Sequence, residues 1–461
     1  MVVKVSNNFR VAYNGRRPFH GTYAERLENL NILPLKTKLL AWSIFLFTFI
    51  EHGTLGLVPK SYYFVYRNMR ISDFIMYFLI IYSLFNLKDF AQLYYNKAIL
   101  IVKILLLYFG FQFIISVILY EQNIIEYFFR LKTLWMSFLV LPFMLLVKRG
   151  GLPYLIKLVF PVAVVSNVLY ILSYITGVVL MPEMSIEKQN LPGGLQVNRI
   201  FGGTFYGELF FLWYIFQWIT DKIRPSQLLL AMLFVTPHIL AFGRAGWAFL
   251  AFTITLIFLW NFMKKRKFKI LLKQGIVLTI FGVVLIYAFI NFFPQSDYLT
   301  DAIEARVEQG QENIENLTGT YGTRMANSAA LIELWLKSNV VFGIGMHPMI
   351  VLKPATTEEL IYAWGFSDVR WSALLAAYGL AGFLMAVLFQ IYYIQKSFVI
   401  LKKTKSNSLY TYLILILMAN LLFDTLINYS YNLVTVRLWG LTNVIALYIA
   451  VLVYKDINID A

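Results

Sequence analysis

The sequence predicts an all-α integral membrane protein of about twelve transmembrane helices, with a large extracytoplasmic helical loop between spans nine and ten. Three observations predict it. Of 461 residues, 59% are hydrophobic and 14% are charged, and mean hydropathy is +0.67, a balance that cannot clothe a surface of this size for water. Apolar runs of the roughly 20 residues that a helix needs to cross a bilayer core recur along the chain. Lys and Arg collect in every second connector between those runs, the pattern that orients membrane helices.

The net charge of +16 would point to nucleic acid in a soluble protein. Here membrane orientation accounts for it, so a nucleic-acid partner is not expected. The absence of Cys excludes disulfides, thiolate nucleophiles and Cys-ligated metals. Residues 1–38 are polar, with Arg10, Arg16, Arg17, Arg26, Lys36 and Lys38 before the first apolar run, and read as a cytoplasmic tail with no cleavable signal peptide.

Spans are expected near 39–58, 71–87, 98–119, 131–147, 153–180, 204–220, 226–242, 245–262 and 270–293, then near 371–395, 408–428 and 433–454. The chain thus divides into a tail (1–38), spans one to nine (39–293), a loop (294–370), spans ten to twelve (371–454) and a cytoplasmic tail (455–461). With the N-terminus inside, the cytoplasmic connectors carry Lys88 and Lys97, Lys148 and Arg149, Lys222 and Arg224, Lys264 to Lys269, and Lys396 to Lys405. One connector dissents, since Lys60, Arg67 and Arg70 fall outside.

The loop is acid-rich, with Asp297, Asp301, Glu304, Glu308, Glu312 and Glu315, and connectors of this length are often functional. Residues 302–316 and 323–338 read as helices. The second presents Met325, Ile332, Leu334 and Trp335 as an apolar face to lie against the membrane domain.

Arginine near a membrane surface is costly unless it is paired, meets an anion or snorkels to headgroups. Arg199 precedes the sixth span, Arg244 lies in the turn Gly243-Arg244-Ala245-Gly246-Trp247, and Arg324 follows Gly319-Thr320-Tyr321-Gly322-Thr323 and opens the loop's second helix. Arg370 and Arg437 begin the tenth and twelfth spans. Guanidinium offers a planar fork of donors suited to phosphate oxygens, and neighbouring glycine lets backbone approach a ligand closely. Polar residues inside spans, namely Glu51, His52, Asp73, Glu208, His238 and Asp424, are either interhelical contacts or functional. Glu208 follows Arg199 by about two helical turns and is placed to face the same cavity.

The Gly243-Arg244-Ala245-Gly246-Trp247 turn, Gly322-Thr323-Arg324 followed by Trp335, Gly343-Ile344-Gly345, and Asp368 leading into Tyr378-Gly379-Leu380-Ala381-Gly382 carry a resemblance. In this order, with the loop after the ninth span, the chain resembles the O-antigen ligase and polymerase family, bacterial membrane glycosyltransferases acting on polyprenyl-pyrophosphate-linked glycans. The likeness runs from about Arg199 to Gly382. It implies a multi-pass protein of the bacterial cytoplasmic membrane, both termini cytoplasmic, that transfers glycan at the outer face without metal or cofactor.

The resemblance implies that Arg244 and Arg324 hold the donor pyrophosphate and that Arg199 lines the same cavity. Glu208, Arg370 and Tyr321 are further candidate cavity residues by their position in the sequence. The ligase branch carries an essential histidine shortly before its tenth span. Here Ser367-Asp368 stands at that position, so Asp368 is the expected general base and His347, in Gly345-Met346-His347-Pro348, the alternative. The partners expected are a polyprenyl-pyrophosphate-linked oligosaccharide, membrane lipid and a chain-length regulator protein. The leading expectation is a polymerase of lipid-linked repeat units for O-antigen, capsule or exopolysaccharide. The alternatives are a ligase of finished glycan and, in another class, a transporter or lipid-linked glycan flippase.

Overall fold

The computed structural model describes residues 33–51, 64–66, 69–86, 139–181, 185–190, 196–201, 206–220, 225–241, 243–265, 296–316, 319–343, 370–403 and 409–426, with scattered positions between 107 and 118. In chain order the helices are α1 (Leu35–Glu51), α2 (Ile71–Phe85), α3 (Val140–Lys148), α4 (Leu152–Thr176), α5 (Gly207–Thr220) and α6 (Pro225–Leu240). They continue with α7 (Arg244–Lys265), α8 (Ser296–Glu315), α9 (Gly319–Lys337), α10 (Arg370–Lys403) and α11 (Leu409–Leu426). Among the described residues three stretches, Leu152–Thr176, Gly246–Lys264 and Tyr378–Lys402, are long and apolar enough to cross a membrane. The expected spans at 270–293 and 433–454 lie outside the described residues, as do most of 98–119 and the first part of 131–147.

α2 and α4 are apolar on both sides. Phe74, Phe78, Ile81 and Phe85 run exposed along α2, and Val165, Val168, Leu172 and Ile175 along α4, at the spacing that keeps side chains on one face. Contiguous apolar surface of this kind is foreign to a soluble monomer and fits lipid as solvent. Helix association in lipid comes from close packing and internal hydrogen bonds, since the acyl chains are as apolar as leucine. Accordingly Ile44, Phe47, Met76, Phe143, Phe216 and Phe234 interlock in a continuous core. Several buried polar side chains donate to carbonyls of their own helices: Thr48 to Ile44 at 2.7 Å, Thr253 to Phe249 at 2.8 Å and Asn167 Nδ2 to Ala163 at 2.7 Å.

Cross-helix contacts fix the helix directions. Asn261 Nδ2 donates to the Ile219 carbonyl at 2.9 Å, joining the C-terminal ends of α5 and α7. Phe210 of α5 stacks on Phe234 of α6 at 5.3 Å, and Trp247 Nε1 of α7 donates to the His238 carbonyl at 2.9 Å, so α6 runs antiparallel to both. Lys264 Nζ reaches the Leu401 and Lys402 carbonyls, which brings the C-terminal ends of α7 and α10 together. α11 returns, placing Phe423 against Phe249 at 5.4 Å. On α2, the C-terminal Asn86 receives Arg149 from the α3–α4 turn at 3.0 Å.

Three local features depart from the sequence reading. The segment before α5 is not a plain connector but an antiparallel hairpin, β3 (Ser185–Asn190) on β4 (Gln196–Phe201), and a second, smaller one joins β1 (Phe64–Tyr66) to β2 (Met69–Arg70) ahead of α2. α4 ends at Thr176 rather than near 180, because Gly177 takes φ +67, a left-handed cap that glycine adopts without steric cost. α1 begins at Leu35, ahead of the expected start of the first span at 39, while the end expected near 58 lies outside the described residues.

Candidate functional site

Two arginine-bearing segments lie at one end of the bundle. From Lys264, at the α7–α10 junction, back to Arg244 is 20 residues, about 30 Å at 1.5 Å per residue. From Lys402 back to Leu380 is 22 residues, about 33 Å. Each distance is close to one bilayer core. The start of α7 and the place where α9 meets α10 therefore lie at the same end, one membrane thickness from Lys264 and Lys402.

At the first segment Arg244 is the opening residue of α7, so the unsatisfied backbone donors of a 22-residue helix surround it. The turn is held tight by Ala241 N–H to the Pro237 carbonyl at 2.9 Å, Trp247 N–H to the Gly243 carbonyl at 3.1 Å and the Trp247–His238 bond. Beside it the backbone is open: a methyl group added at Gly243 or Gly246 would meet nothing within 4 Å. His238 lies just below, its Nε2 sealed and without a hydrogen-bond partner among the described residues.

The second segment is built by α8, α9 and α10. Leu331 and Ala376 form a small core, with Leu334 and Trp335 packed against it, and Ser328 Oγ bonds Ser372 Oγ at 3.0 Å. These pairs advance together along both chains, so α9 runs parallel to the first part of α10. Stepping back one turn from Ser328 brings Arg324 beside the start of α10 at Arg370. Arg324 shares the packed face with Leu331 and Trp335 at helical spacing, and its Nε is buried without a hydrogen-bond partner among the described residues.

The turn after α9 welds this unit to the spanning part of α10. Leu380 N–H donates to the Val340 carbonyl at 2.9 Å and Ala381 N–H to the Val341 carbonyl at 3.1 Å. Trp335 Nε1 also reaches the Val340 carbonyl, at 2.8 Å. Between them Gly379 breaks α10 with φ +62 and ψ −170, a region essentially reserved for glycine. A Cβ there would lie 2.3 Å from the Val341 carbonyl oxygen. Sequence reading marked Gly379 only as part of a motif; its close approach to another backbone had no one-dimensional signal.

Two expectations are corrected. α9 begins at Gly319, not at Thr323, so Arg324 sits in the second turn and the helix N-terminus adds no pull on an anion there. The glycines in Gly319-Thr320-Tyr321-Gly322 read as a turn, yet the helix runs through them, since a glycine costs a helix only about 1 kcal/mol. Met325 and Ile332, assigned to the face against the membrane domain, are exposed at 45% and 39%; of that set only Leu334 and Trp335 face α10.

No protein-family model matches the chain, and no curated protein matches its sequence. The functional reading therefore rests on the residues themselves.

The remaining candidates are distributed as follows. Arg199 lies on β4 directly opposite Glu187 of β3, a cross-strand position for an opposite charge. Glu208 is in the first turn of α5, close enough to interact electrostatically with Tyr412 of α11, whose hydroxyl donates to the Leu209 carbonyl. Counting from the Ile219–Asn261 bond, Glu208 is 11 residues up α5 and Arg244 is 17 up α7, which sets Glu208 about 9 Å deeper in the bundle. Tyr321 is placed by its backbone in the first turn of α9, and Arg370 as the first residue of α10. Asp368, His347 and Arg437 lie outside the described residues.

Proposed function

We propose that the chain is a polymerase of polyprenyl-pyrophosphate-linked oligosaccharide repeat units for a bacterial surface polysaccharide. On this reading it crosses the cytoplasmic membrane about twelve times, with residues 294–370 on the outer side. One observation carries the proposal: Arg244 at the start of α7 and the α9 unit bearing Arg324 lie at the same end of the bundle, opposite the Lys264–Lys402 end. In that position they suit a diphosphate headgroup whose polyprenyl chain remains in the adjoining leaflet. The buried Nε of Arg324, without a hydrogen-bond partner among the described residues, supports this, because a buried guanidinium donor without a partner is costly unless a ligand completes it.

The chemistry follows from the donor. A hydroxyl of the acceptor sugar attacks the anomeric carbon of the donor glycan. The bond from that carbon to the phosphate oxygen breaks, and its electron pair leaves with the diphosphate. Arg244 and Arg324 stabilise the negative charge that grows on the leaving oxygens. Asp368, two residues before Arg370 in sequence, takes the hydroxyl proton as general base. The scheme uses no metal.

The test is to supply lipid-linked repeat units to reconstituted protein and size the glycan products. Arg244→Ala and Arg324→Ala, at equal amounts in the membrane, are expected to leave single units. Arg324→Lys should fail as well, because lysine keeps the charge and loses the fork. Normal polymer from both alanine variants refutes the reading. In cells, long polymer retained on its carrier after loss of the protein would indicate the ligase alternative.

A further inference from the structure

α9 has three faces. Asn327, Ser328, Leu331 and Trp335 turn toward α10 and the interior, and Glu333 and Lys337 stand in water, joined as an exposed ion pair. The third face carries Met325, Ala329, Ile332 and Leu336, every one apolar and exposed, spaced by four, three and four residues and hence in one line. Leu336 is 59% exposed.

This line does not end at the helix. It passes through the exposed Val340 and Val341, whose carbonyls accept the hydrogen bonds from Leu380 and Ala381. Beyond the weld it continues as Leu380, Leu384, Leu388 and Ile391, exposed along the spanning part of α10. A second exposed stripe, Leu107, Phe111, Ile114 and Ile118, touches the same turn through the Phe111–Phe342 ring contact at 5.3 Å. The apolar face of α9 is thus an extension of surface that faces lipid if α10 crosses a bilayer.

We infer that α9 is an interfacial helix whose Met325–Leu336 face is inserted in the lipid of the leaflet at the Arg244 end, with Glu333 and Lys337 in water. The break at Gly379 separates the direction of the first part of α10 from that of the spanning part, so α9 need not follow the spanning axis. An amphipathic helix with an apolar line on one side and a charged pair on the other is built for this boundary. Arg324 would then ride at headgroup depth. The inference rests on α10 being a spanning helix and not on the glycosyl transfer.

The chain has no cysteine, so single cysteines can carry a nitroxide label in full-length protein reconstituted in phosphatidylethanolamine–phosphatidylglycerol vesicles. Collision with dissolved oxygen reports lipid, and collision with a water-soluble nickel chelate reports water. Labels at Met325→Cys, Ile332→Cys and Leu336→Cys should favour oxygen, as should reference labels at Leu384→Cys and Leu388→Cys, while Glu333→Cys and Lys337→Cys should favour the chelate. If the α9 labels read like Glu333→Cys, the face is in water and the inference is wrong. If neither reagent reaches them, protein covers the face, from this chain or a second copy, and the inference is equally wrong. If the reference labels also favour the chelate, the spanning reading of α10 itself fails.

Discussion

Gly379→Ala should loosen the docking of α9 on α10. The backbone at φ +62 and ψ −170 costs a residue with a Cβ about 1–3 kcal/mol. The added methyl would also lie 2.3 Å and 2.4 Å from the Val341 carbonyl atoms and 2.5 Å from the Gly343 nitrogen. All are backbone atoms, so relief requires the turn to retreat by about 1 Å, which undoes the bonds from Leu380 and Ala381 at roughly 1 kcal/mol each. Together the loss is about 3–5 kcal/mol, enough to shift a docking equilibrium by two orders of magnitude or more. The assay uses Ser328→Cys with Ser372→Cys, whose parent hydroxyls are 3.0 Å apart. Spontaneous disulfide formation reports docking, and size-exclusion chromatography in detergent confirms that the bundle is intact. Gly177→Ala is the internal control: its φ is +67 but nothing lies within 4 Å of the added methyl, so only the left-handed backbone penalty of about 1–2 kcal/mol applies, and cross-linking should persist. Undiminished cross-linking in Gly379→Ala would refute the argument that this backbone contact holds the loop helix in place.

Gly207→Ala places a methyl 2.5 Å from Asn167 Oδ1 and should lower thermal stability in detergent by about 1–3 kcal/mol. Asn167→Ala in the same chain should recover part of that loss. Single cysteines at Lys264 and Lys402 should react with impermeant maleimide from one side of sealed vesicles and one at Lys337 from the other; reaction of all three from one side would overturn the helix directions. The Glu333 carboxyl is held below its usual range by the hydrogen bond and charge of Lys337. Its contribution is therefore present above the ordinary value of 4.5 and lost as pH falls through the lower, folded value. Because the pair is fully exposed, Glu333→Gln should leave disulfide formation between positions 328 and 372 unchanged; a clear drop would show that the ion pair holds α9 in place.

The general character of the protein was readable from one dimension because the bilayer imposes a one-dimensional demand. A helix without water must satisfy its own backbone and present apolar side chains over a fixed length, and α4, α7 and α10 display that demand as long apolar runs. The two helices of the loop were also legible, as was the tight turn before Arg244, where Gly243 and Gly246 flank a short connector. The β3–β4 hairpin also has a sequence signal: Pro192-Gly193-Gly194 is turn chemistry between runs containing Ile186, Val197 and Ile200.

What only the tertiary structure decided depends on encounters between distant segments. No local pattern tells that Gly379 must be bare because the Val341 carbonyl lies against it, or that Arg199 stands opposite Glu187 in the strand register. Nor does periodicity distinguish the three faces of α9, since lipid and protein interior both accept the same apolar side chains. Packing on Ala376 chose Leu334 and Trp335 for the interior and left Met325, Ile332 and Leu336 outside. Sequence supplied the chemistry of each face; contact with α10 determined which way each one turned.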